Sequence, residues 1–274
     1  MSLAFLRFAL ATLLIAPFLF TEKNKIEIQK EDLPWLFAIG ALMVTLNISF
    51  FYTGLLRTNV TSASVLTMII PVISVLLGWT FFKEKVYIVN LAGIALGLLG
   101  AILVIGLPTL VFGEQILPEV IIGDILIILA SISWVAGAVL SRRMLKKYSS
   151  LTITTIMFGT GVITFLLPAI NEYLQNPGWP SQVTWLGIFG LLFITIASSI
   201  CAYFLFEWGL AKIGIIQADL FHYIEPPIAT TLAVLILGES LQFSFIIGGL
   251  LIAIGVYWST LLKKDHKHHR AHRV

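Results

Sequence analysis

Nine apolar stretches, each about 18 to 24 residues long, follow one another along this chain and leave little sequence for anything else. A helix rises about 1.5 Å per residue, so a run of about 20 crosses a hydrocarbon core of about 30 Å. The stretches occupy residues 3–20, 34–56, 62–82, 86–107, 124–141, 151–170, 183–206, 214–237 and 243–262. With 58% hydrophobic and 11% charged residues, the chain has too few charges to cover a water-facing surface. The ten-residue alternation of a membrane β-barrel is not present in the pattern. The fold class is therefore all-α integral membrane, with nine predicted transmembrane helices. The lone Cys201 falls inside a predicted span and offers no disulfide framework.

Lysine and arginine placement sets the orientation. With the C-terminus in the cytoplasm, every basic residue lies inside except Arg7 and Arg57, near the outer ends of their helices. The outer connections around 108–123 and 171–182 hold acids but no lysine or arginine. The expected location is the inner or plasma membrane, multi-pass. The net charge of +3 is then a topology signal that calls for no nucleic-acid partner.

The sequence also repeats at an offset of 155 residues: Pro71 falls on Pro226, Glu84 on Glu239, Gly54-Leu55 on Gly209-Leu210, Gly93 on Gly248 and Gly100 on Gly255. An odd number of spans separates the copies, so they sit in the membrane with opposite orientation, as in the inverted repeats of secondary transporters. Residues 1–107 form a first half of four helices, 108–123 an extracytoplasmic linker, 124–262 a second half of five helices, and 263–274 a basic, histidine-rich cytoplasmic tail. The unmatched helix is 124–141, so the pattern reads as a ten-helix, five-plus-five architecture that begins one helix late.

Leu6-Arg7-Phe8 near the start, Ser133-Trp134 in the fifth stretch, and the twice-repeated series of proline-centred helix, glutamate and glycine-rich helix together resemble the EamA-type family of the drug/metabolite transporter superfamily. The resemblance covers essentially the whole chain. It implies a secondary active transporter of small metabolites, amino acids or similar, working by alternating access between inverted halves, with export as the direction.

Charges within apolar helices cost about 2.5 to 3.5 kcal/mol even on a lenient insertion scale, so they mark candidate sites. Asp219, His222 and Glu225 recur at i, i+3 and i+6 on one face, with Glu225 about 16 Å into a helix that starts near Gly214. Glu225 or His222 would bind an amine-bearing substrate or exchange a proton; the alternative is a structural bond between them. Asp219 could instead pair with Lys212 or Arg142. Asn47, Tyr52, Trp134, Tyr203 and Tyr223 are the neutral candidates for a cavity wall. Pro71, Pro226 and Pro227 each remove a helical hydrogen bond and are candidate hinges, against the plainer reading of static kinks.

Glu84 and Glu239 read as markers of helix ends, and the paired glycines as close helix contacts. The tail's four histidines could capture a metal, but a solvated basic tail near anionic lipid heads accounts for the same residues. No metal site or cofactor is expected. The partners are a small-molecule substrate and membrane lipid, with proton coupling an open option, in a monomer or homodimer. A membrane enzyme or a non-transporting scaffold is the alternative class, although no HExxH or GxSxG motif is present.

Overall fold

The computed structural model describes residues 1–19, 28–82, 88, 92–93, 95–96, 99–100, 103, 117–219, 222, 228, 231–238 and 243–261. Among these residues there is no strand, and six helices are long and apolar enough to cross a membrane. They are α1 (Ser2–Leu19), α2 (Lys30–Leu55), α3 (its α-helical parts Val60–Leu66 and Ile70–Phe82), α4 (Pro118–Met144), α5 (Ser150–Gln175) and α6 (Trp185–Ile213). A short α7 (Ile215–Asp219) and a C-terminal α8 (Phe243–Leu261) follow.

Local chemistry sets several boundaries. The side chains of Asn59, Ser149 and Thr184 accept hydrogen bonds from the backbone N–H groups of Ser62, Thr152 and Gly187, satisfying donors that the first turns of α3, α5 and α6 leave free. Gly214, at φ +87°, ends α6 in a conformation that disfavours a side chain. Compared with the apolar stretches, α4 begins at Pro118 rather than near residue 124, and α6 runs on to Ile213 rather than ending near 206. Hydropathy could not see these extensions because they carry Glu or Lys. The stretch 86–107 lies largely outside the described residues, and 214–237 is described in part, including α7 and a π-helical segment Ala233–Leu237.

The chain divides into two compact units. The first comprises residues 1–49 and 136–214. In it α1 packs along α5, the first part of α2 packs on α5 as well, and the middle of α6 lies against α1. Small residues permit the approach: a Cβ at Gly40 would lie 2.6 Å from the Thr160 side chain, and one at Gly161 would lie 2.7 Å from Val44. The Phe8 ring sits 5.6 Å from Phe158, 6.1 Å from Phe165 and 6.4 Å from Tyr203. Such ring pairs add about 0.5–1.5 kcal/mol each beyond their burial.

The second unit comprises residues 50–135 and 215–274. Here α7 packs on the second part of α3, and α8 packs on its first part. Ala63, Val65, Leu66, Met68 and Ile127 form a buried apolar cluster. A Cβ at Gly54 would lie 2.8 Å from the Gly123 carbonyl oxygen, so α2 and α4 meet backbone to backbone there.

Candidate functional site

In the second unit, Asp219 closes α7 with its side chain fully buried. The fold places it there because α7 lies against α3, whose Ser74, also fully buried, donates its hydroxyl to Asp219 Oδ2. His222 Nε2 lies 4.0 Å from Asp219 Oδ1, and the His222 ring meets the Trp134 indole edge-on at 5.6 Å between centroids. Trp134 also lies beside the Asp219 carboxylate. Three sequence candidates from two distant parts of the chain thus come together in one polar cluster: Trp134, Asp219 and His222. Asp219 meets Ser74 and His222.

Ser74 was not among the sequence candidates. Its signal was available in its position three residues after Pro71, on the same side of α3. A tight 3-10 turn, Thr67–Ile69, interrupts α3 immediately before Pro71. It falls where the proline ring and missing N–H weaken the preceding turn. The carbonyl that Pro71 cannot serve, that of Thr67, accepts instead from the Ile70 N–H, and the Thr67 hydroxyl donates to the Ser64 carbonyl at 2.7 Å.

Asp124 is a second buried carboxylate in this unit. It lies two turns inside α4 rather than at its mouth, and Thr58 Oγ1 donates to it at 2.7 Å. Tyr52 is half-buried, with its ring 6.5 Å from Phe51. Tyr223, Glu225, Pro226 and Pro227 lie outside the described residues.

In the first unit, Asn47 is half-buried and Tyr203 is buried, its hydroxyl 3.4 Å from the Met43 carbonyl oxygen. Arg7, in the second turn of α1, is buried. It is 5% exposed, donating from Nε to Ser199 Oγ at 2.5 Å and from Nη2 to Ser198 Oγ at 3.1 Å, with its guanidinium 5.1 Å from the Phe8 ring centre. Glu207, which sequence reasoning missed because it lies just past the apolar stretch, is fully buried. The Ser141 hydroxyl donates to its Oε2 at 2.5 Å.

At the surface of this unit, Lys147 Nζ donates to both oxygens of Asp32 at 3.0 Å and the Tyr148 hydroxyl donates to Oδ2 at 2.7 Å. The bond to Asp32 holds the Lys147 ammonium above its ordinary range. This cluster ties the start of α2 to the α4–α5 turn.

In the second unit, a buried carboxylate on a neutral hydroxyl beside an edge-on Trp–His pair is chemically suited to hold a small polar group. Comparison with known proteins identifies the family. The EamA-like transporter family matches over residues 1–106 and 121–261. An uncharacterized transporter of Archaeoglobus fulgidus is 30% identical over 97% of this chain and 89% of its own length. A WAT1-related protein of Arabidopsis thaliana is 27% identical over 90% of this chain and 70% of its own. A solved crystal structure with 20% sequence identity superposes with a TM-score of 0.68 over 95% of this chain and 87% of that one, a likeness of fold. The chain belongs to the EamA-like transporter family and is a multi-pass membrane transporter.

Proposed function

We propose that the protein is a secondary active transporter that exports small amine-bearing metabolites, amino acids or similar, by alternating access between inverted halves. It works in the inner or plasma membrane, with the C-terminus in the cytoplasm. The observation that carries this reading is the fully buried Asp219 carboxylate, held by Ser74 and faced by His222 and Trp134. Burying a carboxylate costs several kcal/mol, and neutral hydroxyls repay little of it. An ammonium group repays it well, and the indole adds a surface that attracts cations. By sequence spacing alone, Glu225 and Tyr223 belong to the same proposed site. Pro71 lets α3 bend just before Ser74, so movement at the bend changes the grip on Asp219. The transporter names of the relatives support the class of function, and the substrate and direction are part of the proposal.

Ligand-dependent thermal unfolding in detergent tests it. Among a panel of amino acids and amines, at least one is expected to raise the Tm of the native protein and to lose that effect in Asp219→Asn. An equal shift in both proteins, or none for any amine-bearing compound, contradicts the assignment.

A further inference from the structure

Glu207 sits in the first unit, and one face of α6 leads to it. Thr195, Ser199, Tyr203 and Glu207 follow at intervals of four residues, all buried, so the helix carries a polar stripe about 18 Å long into an apolar bundle. Arg7 of α1 engages the stripe at Ser199, and Ser141 of α4 engages it at Glu207. The second oxygen, Oε1, is buried and has no hydrogen-bond partner among the described residues.

Other charged and titratable groups lie on the packed elements. On α1, Arg7 lies two turns along the stripe, on Ser198 and Ser199. On α2, Asp32 is held by Lys147 and Tyr148. Beside Ser141 on α4, the Arg142 guanidinium lies 3.0 Å from where a Cβ on Gly214 would be, and Arg143 follows it. On α5, Glu172 receives the backbone N–H of Ser2 at 2.7 Å and Tyr173 is exposed. On α6 itself, Lys212 is exposed and Tyr203 reaches the Met43 carbonyl.

We propose that Glu207 is the proton-binding site that couples transport to a proton gradient. Buried among apolar groups with one neutral donor, the side chain holds a proton on Oε1 and is uncharged in this conformation. When the cycle opens the bundle, that proton passes to water on one side, and a proton from the other side replaces it before the site is buried again. The inference rests on the transport reading above, but concerns a different residue and a different ligand, the proton itself.

Two measurements on the full-length protein test it. Infrared spectroscopy of the purified protein needs no substrate: a protonated-carboxyl stretch is expected at neutral pH and is expected to be lost in Glu207→Gln. A Ser141→Ala variant, which keeps the carboxyl, should move the pH at which the band disappears by about one pH unit. A band unaltered by Glu207→Gln, or absent from the native protein at neutral pH, overturns the proposal. In proteoliposomes, with the amino-acid panel as probe, Glu207→Gln should lower transport driven by a pH gradient at least tenfold. It should leave exchange of labelled against unlabelled probe at equal pH within about twofold. Equal loss of both, or loss of neither, also overturns it, whereas a panel inert with the native protein counts against the transport reading and leaves the infrared result to decide Glu207.

Discussion

At the scale of single residues, the most informative are carboxylates set where an apolar helix would not tolerate them unaided. Ser74 supplies a donor to Asp219, and the effect of removing it separates binding from folding. A hydrogen bond to a charged group contributes about 1.5–3 kcal/mol. Ser74→Ala is therefore expected to weaken ligand binding about ten- to a hundredfold, with retention on size exclusion unchanged; unchanged affinity by calorimetry would remove Ser74 from the site. The Lys147 clamp makes a pH prediction. Its ammonium is raised above the ordinary value of about 10.4, so its contribution to stability is complete below that pH and is lost as pH rises through the raised value. The Tm difference between native protein and Lys147→Met should stay level through neutral pH and vanish only in strong alkali. A difference that already fades near neutrality would contradict the clamp. Asp219, His222 and Trp134 were legible in the sequence because charge and aromaticity stand out in an apolar run. Ser74 and Glu207 were not, the first because serine is common in membrane helices, the second because the span was ended one residue too soon.

At the scale of elements, α2 and α6 share a departure from regular helix. Ala41–Leu46 in α2 and Ile194–Cys201 in α6 are wound as π-helix, and the 155-residue offset lays the first segment on the second. Such segments are uncommon and leave carbonyls poorly served. Here side chains help serve them: Ser199 Oγ donates to the Ile194 carbonyl at 3.1 Å, and Tyr203 reaches the Met43 carbonyl. No hydropathy pattern announces a π turn, because it changes winding and not composition. The glycines were readable as contact points, but their partners came only from the fold. Gly40→Leu, driven against Thr160, should destabilise the protein by about 1–3 kcal/mol. Chemical denaturation in detergent measures this, and a neutral result would mean that α2 and α5 can separate freely there.

At the scale of the whole molecule, the all-α membrane class was plain from run length and charge scarcity, both set by the bilayer. Topology beyond that rests on the offset between copies and on lysine and arginine placement, which lipid and translocation machinery enforce and a list of contacts does not record. The polar cluster of Asp219 with Ser74, His222 and Trp134 gives the proposed transport reading its chemistry. The most direct test is uphill flux in proteoliposomes of the full-length protein, with the amino-acid panel and an imposed pH gradient. Saturable movement of at least one compound against its own gradient is expected, lost in Asp219→Asn although that variant inserts normally. Flux no greater than in protein-free liposomes for every compound, or undiminished in Asp219→Asn, would contradict the account.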